Sequence, residues 1–224
     1  MKVLSLSVLA FSLFLTGCED PSVNRAQATV SNTAVATSVG STKAEANSNT
    51  RSVAPAKGDP LAITPENSKI EWIGSKVTGK HDGGFRQFSG TIDLVNARAE
   101  ESAVSVEIDT TSIYSDNADL TEHLKSADFF DVEKFPKASF RSSKIVADPA
   151  KGADVYNVTG DLTLHGVTKS VSFPATIKVS DADVTVNADF SINRKDFEIN
   201  YAGMANDLIR DGVVMKLELK TPRK

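Results

Sequence analysis

The chain has 224 residues, a formal net charge of −4 from 29 acidic against 25 basic residues, and one cysteine. That length accommodates one ordinary domain plus appendages. The acidic balance offers no basic face to nucleic acid, and a single cysteine excludes both an internal disulfide and a cluster of cysteine ligands.

At the start, Lys2 makes a short positive region, residues 3–15 form an apolar run, and Leu15-Thr16-Gly17-Cys18 resembles a lipobox. The run is too short to span a bilayer, so residues 1–17 read as a lipoprotein signal peptide that directs export to the cell envelope. Small residues before Cys18 and abrupt polarity after it favour lipidation over a plain secretory leader. Likeness to bacterial lipoproteins implies that Cys18 becomes the N-terminus and anchors the protein to a membrane through acyl chains, at about 0.8 kcal/mol per buried methylene. Residues 18–58 are rich in Ser, Thr, Asn and Ala and contain no aromatic residue. Such a stretch buries too little apolar surface to offset its ordering entropy. It is expected to be a disordered tether with a reach on the order of 35 Å.

From about residue 60 to residue 222, alternation of period two takes over. Val104, Val106 and Ile108 alternate with Ser105, Glu107 and Asp109. Val171, Phe173, Ala175, Ile177 and Val179 form a second such set; Val184, Val186, Ala188, Phe190 and Ile192 a third; Val213, Met215, Leu217 and Leu219 a fourth. Runs at 69–77, 85–95, 137–146 and 154–165 bring the count to about eight strands, each with one apolar and one wet face, the pattern of antiparallel sheet. One helix is expected over 120–127, with Asp119 as N-cap and Glu122 completing a capping box. Its apolar face carries Leu120, His123, Leu124 and Ala127. The fold class is all-β, a sandwich or a barrel. Closure is favoured because it removes unpaired edges and no second helix exists to cover an open sheet.

By parity the inner face carries Trp72, Phe88, Ile92, Leu94, Phe140, Leu162, Leu164, Phe173 and Phe190, interleaved with Gly74, Gly90, Ala138, Ser142, Gly160, Ala175 and Ala188. Small residues among large ones either leave a cavity or accommodate barrel taper. No GxSxG elbow, HExxH, phosphate-cradling loop or CxxC is present, so neither catalysis nor a cofactor is expected. Asp116, Asp119, Asp128, Asp131 and Glu133 read as a cap and a solvated rim. The three histidines lack ligand spacing and are expected to be structural, with no metal site. His81, in a Gly-rich turn, and Arg194, between two strands, are the candidates for meeting a ligand headgroup at a barrel mouth. A salt bridge is the alternative for Arg194. His123, Phe129, Phe130 and Phe135 either seat the helix over one end or form a lid.

The eighteen residues 123–140, HLKSADFFDVEKFPKASF, closely resemble the signature of the YceI-like family, bacterial envelope proteins that bind lipids and polyisoprenoids. Three further motifs occur in the same order. They are Ser68-Lys69-Ile70-Glu71-Trp72 followed by residues 79–90, then Gly160-Asp161-Leu162-Thr163-Leu164-His165-Gly166-Val167-Thr168-Lys169, then Ile192-Asn193-Arg194-Lys195-Asp196-Phe197. Glu198 departs from the pattern, standing where the family usually has Gly after Asp-Phe. The resemblance implies an eight-stranded, lipocalin-like antiparallel barrel with one short helix covering an end. The expected function is non-enzymatic binding, sequestration or transport of a long-chain apolar lipid, whether polyisoprenoid, isoprenoid quinone or fatty-acid-like. The rival readings are an interaction module with a filled core and a lipid-modifying enzyme.

Overall fold

The computed structural model describes residues 20–33 and 58–223, so the leader and Cys18 lie outside the described residues. Two short strands come first, β1 (Ala26–Gln27) and β2 (Thr29–Asn32). The next three passes of the chain are each bent in two. β3 (Asp59–Ile63) continues into β4 (Lys69–Lys76), β5 (Gly79–Phe85) into β6 (Phe88–Val95), and β7 (Arg98–Asp109) into β8 (Ile113–Ser115). Pro65 lies in the first bend, where a residue without an N–H cannot continue the ladder. After α1 (Ala118–Lys125) come β9 (Lys137–Ala147), β10 (Val155–Leu164), β11 (Val167–Val179) and β12 (Asp183–Asn193). A small hairpin, β13 (Gly203–Met204) and β14 (Asp207–Leu208), precedes the last strand, β15 (Gly212–Pro222).

Hydrogen-bonded neighbours run β3–β6–β7–β9–β10–β11–β12–β15–β4. The series starts and finishes on two halves of one bent strand, so the antiparallel sheet curls round on itself. The eight passes read from the sequence are the eight walls. Parity is obeyed: Val184, Val186, Ala188, Phe190 and Ile192 are buried on β12, and Val171, Phe173, Ala175 and Ile177 on β11. Gly83 faces Trp72 across β4 and β5, and a Cβ there would run into the Trp72 indole and the Tyr114 carbonyl. Glycine at this place lets the ring lie against the wall.

The helix starts one cap earlier than the sequence suggests. Asn117, not Asp119, is the N-cap, its side chain accepting the Leu120 N–H at 2.9 Å. Asp119 lies in the first turn, where a negative charge complements the helix dipole. Glu122 reaches forward to Lys125 at 2.9 Å and closes no capping box. Asn and Asp are nearly equivalent caps, and periodicity does not choose between sites two residues apart.

The expectation of a free tether over 18–58 fails for residues 20–33. β11 and β12 pair directly only over Thr176–Val179 and Val184–Asn187. Beyond that they part, and the N-terminal segment fills the split. β1 runs parallel to β12 with Ala26 opposite Phe190, and β2 runs antiparallel to β11 with Val30 opposite Val171. Ala28, 6% exposed, donates its N–H to the Ser191 carbonyl at 2.8 Å. The segment is polar in composition because its backbone, rather than its side chains, completes the sheet. A carboxylate at position 28 has no partner to meet. Ala28→Asp is therefore expected to lower the stability read by urea denaturation by about 1–3 kcal/mol, whereas Thr29→Asp on the exposed side should change it by about 0.5 kcal/mol or less. Equal, negligible effects at both positions would mean that the segment is not docked.

Candidate functional site: an apolar cavity beneath the helix

The two ends of the barrel differ. At the end carrying the β6–β7 and β11–β12 turns, Leu61, Ile63, Ile92, Leu94, Val184 and Leu219 fill the interior. Toward the other end the core opens into a cavity of about 350 Å³, within the size range of sites for small apolar ligands. Its wall is built from alternate residues of each strand: Trp72 on β4, Val104, Val106 and Ile108 on β7, Phe140 on β9, and Leu162 and Leu164 on β10. Phe173 on β11, Phe190 on β12, and Val213, Met215 and Leu217 on β15 complete the circuit. Phe173 and Phe190 stack face to face at 4.1 Å across the level where β11 and β12 part.

Six of the nine residues expected to line the interior do so: Trp72, Phe140, Leu162, Leu164, Phe173 and Phe190. Phe88, Ile92 and Leu94 do not. They face inward and are buried, with Phe88 opposite Ile108 and Ile92 opposite Val104. However, β6 pairs on its other side with β3, and Ile92 and Leu94 pack with Leu61 and Ile63 in the filled part of the core. Parity identifies the inner face of a strand and carries no information on depth along the barrel axis. The β7 and β15 linings were readable from alternation. Ile199 and Ile209 come from the irregular segment 198–211, which has no period to read.

α1 roofs the cavity. Leu120 and Leu124 point into it, joined by Phe129 and Phe130 from the turn that follows. Phe130 sets its edge against Phe85 at 5.9 Å. His123 is not in the lining. Its ring meets Phe129 and Tyr201 edge-on, each at 5.0 Å, and its Nε2 lies 2.8 Å from Asp128 Oδ2. It pins the helix to segment 198–211. Phe135 also lies away from the cavity, edge-on to His165 at 4.8 Å and held over Gly166, where a Cβ would collide with its ring. Of the four expected lid residues, Phe129 and Phe130 touch the cavity, and His123 and Phe135 brace the roof from outside.

Both candidates for the mouth line the cavity, but their chemistry differs. Arg194 is 5% exposed, and its donors go to the chain itself: Nε to the Arg210 carbonyl at 3.1 Å, Nη1 to the Ile199 carbonyl at 2.6 Å, and Nη2 to the Ile209 carbonyl and Asp211 Oδ1, both at 3.4 Å. Burial pushes its guanidinium below the usual arginine range, with Asp211 opposing. Arg194 folds segment 198–211 over the barrel end and has little left for a headgroup. Glu198, in the left-handed region at φ 61°, turns the chain into that segment. The resemblance leads to the expectation of glycine here, and the chain makes this left-handed turn with a side chain at modest strain. His81 is half-buried, with Nδ1 2.8 Å from Asp116 Oδ1. That bond ties the β4–β5 hairpin to the residue before the helix cap. Burial opposes ionisation of Asp116, but hydrogen bonds from His81 and the Asp82 N–H, with the His81 charge, hold the carboxyl below its ordinary value.

Among the described residues no three His, Cys, Asp or Glu side chains converge as metal ligands. What it offers is dry surface closed by a helix, with a polar edge at Lys76, His81 and Arg210.

Two outcomes follow from the rim geometry. Arg194→Ala leaves several loop carbonyls unpaired and should cost about 3 kcal/mol in denaturant unfolding. A loss below about 1 kcal/mol would place the clamp elsewhere. Because the folded pKa of Asp116 is depressed, its contribution is full above its ordinary value of 3.8 and is lost as pH falls through the lower folded value. The difference in thermal midpoint between the parent and Asp116→Asn should therefore shrink between about pH 6 and pH 2. A difference that persists at the acid end contradicts the His81–Asp116 link.

Comparison with known proteins agrees with this architecture. Residues 61–221 match the YceI-like domain. A UPF0312 protein of Pseudomonas putida is 39% identical over 145 residues, covering 60% of this chain and 74% of that protein. The UPF0312 protein of Pseudomonas fluorescens is 37% identical over the same length. Burkholderia cenocepacia BcnA superposes with a TM-score of 0.64 at 25% identity, over 70% of this chain and 98% of that one. A polyisoprenoid-binding domain of Saccharophagus degradans superposes with a TM-score of 0.59 at 16% identity, over 74% and 100%, a likeness of fold. With a family match across most of its length, the chain belongs to the YceI-like family.

Proposed function

We propose that this protein binds and carries a long-chain apolar lipid, of the polyisoprenoid, isoprenoid quinone or fatty-acid class, in the bacterial cell envelope. The observation that carries the reading is the 350 Å³ cavity, walled by aliphatic and aromatic side chains and roofed by a short helix. The polyisoprenoid-binding domain of the same fold supports it. Three isoprene units, about fifteen carbons at ~0.8 kcal/mol each, yield on the order of 12 kcal/mol, and association costs of about 4 kcal/mol leave micromolar affinity. Affinity resides in the tail, and the headgroup meets the polar edge at His81 and Lys76. Anchoring through Cys18 would keep the barrel at a membrane that supplies or receives the ligand.

Trp72 is the only tryptophan in the chain and lines the cavity, so its fluorescence reports occupancy. Titration with geranylgeraniol should shift and quench its emission with a Kd on the order of micromolar. Ala138→Leu, which fills the cavity from β9, should weaken binding by roughly tenfold or more. Unchanged emission, together with native mass spectra of purified protein free of any apolar adduct, would sink the reading.

A further inference from the structure

Among the described residues five large hydrophobic side chains are exposed: Val23, Val77, Val146, Met204 and Leu208. Val146 stands alone near the filled end of β9. Three of the others lie on two hairpins that touch at the cavity end. Val77, 53% exposed, lies in the β4–β5 turn, while Met204, 68%, and Leu208, 49%, belong to the β13–β14 hairpin. The Val77 N–H donates to the Leu208 carbonyl at 3.1 Å, and Lys76 forms a bridge with Ile209. Asp207, between Met204 and Leu208, is held by Lys76 Nζ at 2.5 Å and by the Thr78 N–H at 3.1 Å. The one carboxylate in the patch is thus paired with a cation, and Lys80 stands exposed at the next turn of β5. Lys76, Ile209 and Arg210, immediate neighbours of the patch, line the cavity.

The N-terminal segment arrives at the same rim. Asp20 Oδ2 lies 3.6 Å from Arg210 Nη1, and Ser22 packs on Gly212. Val23, 73% exposed, follows in the turn that leads to β1. Cys18, the residue read as lipid-bearing, is two positions before Asp20 in sequence.

We propose that Val77, Met204 and Leu208 form a membrane-seating rim that docks on a bilayer surface and turns the mouth of the cavity toward the lipid. Bulky aliphatic tips grouped on a polar surface mark an interaction site. A lipid surface fits because the side chains sit on two short hairpin turns beside the exposed Lys80, whose charge can meet headgroup phosphates. The described residues begin at that rim with Asp20, two positions after Cys18 in sequence. The inference rests on the lipid-binding reading for its purpose, but not for its test.

The test uses the mature chain, residues 18–224, with Cys18→Ala, so that neither the apolar leader nor an acyl anchor contributes, and vesicles of phosphatidylethanolamine and phosphatidylglycerol. The parent should float with the vesicles. Each of Val77→Ser, Met204→Ser and Leu208→Ser should reduce partitioning about fivefold, and the triple variant about a hundredfold. Met204→Leu should retain it. None of the three side chains lines the cavity, so geranylgeraniol titration of Trp72 in vesicle-free solution should be unchanged in the triple variant. No flotation of the parent, or equal flotation of the triple variant, overturns the proposal. Concentration-dependent dimerisation abolished by the triple substitution, without vesicle binding, would assign the patch to a second copy of the chain and also overturn it. Loss of the Trp72 response in every variant and in the parent would count against the carrier reading alone.

Discussion

The pairing of β15 with β4 makes an interior possible. β4 is the continuation of β3, and the rest of the sheet reaches β3 from the other side through β6. Along that circuit inward residues converge on one axis, and among the described residues the hydrogen-bonded path ends on two short strands, β3 and β8. An eight-stranded barrel is just wide enough either to be packed solid or to hold one slender guest. Here both happen, at different depths. Large aliphatic residues of β3, β6 and β15 fill one end, whereas at the other end Gly74 and Ala138 alternate with the large side chains and leave space.

The split between β11 and β12 follows from the same closure. Two neighbouring strands that part would expose unpaired N–H and C=O groups on both banks, and buried backbone groups of that kind are nearly always satisfied. Residues 26–32 satisfy them, lying outside the span 61–221 that matches the family. This chain therefore builds part of its wall from a segment outside the matched span. Insertion of a strand also keeps Phe173 and Phe190 in stacked contact at the vertex rather than in a directly hydrogen-bonded rung.

At the open end the organising group is a buried cation. The guanidinium of Arg194 gathers carbonyls from Ile199, Ile209 and Arg210, and the segment it holds presents Tyr201 to His123 and Phe129. A fixed fork of donors suits this task, since one side chain satisfies several acceptors that no ladder reaches. Roof, rim and hairpin tips therefore share one support. The cavity beneath contributes dry surface walled by aliphatic and aromatic side chains.

Much of this was legible in the residues alone. Period-two alternation determined the strands, their inward faces and the all-β class, because burial of one face of a sheet writes itself directly into sequence. The motifs of residues 123–140 and 192–197 carried the family. The tertiary structure alone decided depth, partnership and support. Ile92 and Leu94 obey the same parity as Phe140 and Phe173, yet pack in the filled end, because distance along the barrel axis depends on which strands flank β6. Arg194 was legible as a charge between strands, whereas its role as a clamp depends on a loop without periodicity. Residues 26–32 read as a tether because composition measures side-chain burial, and what holds this segment is backbone pairing, which any sequence can supply.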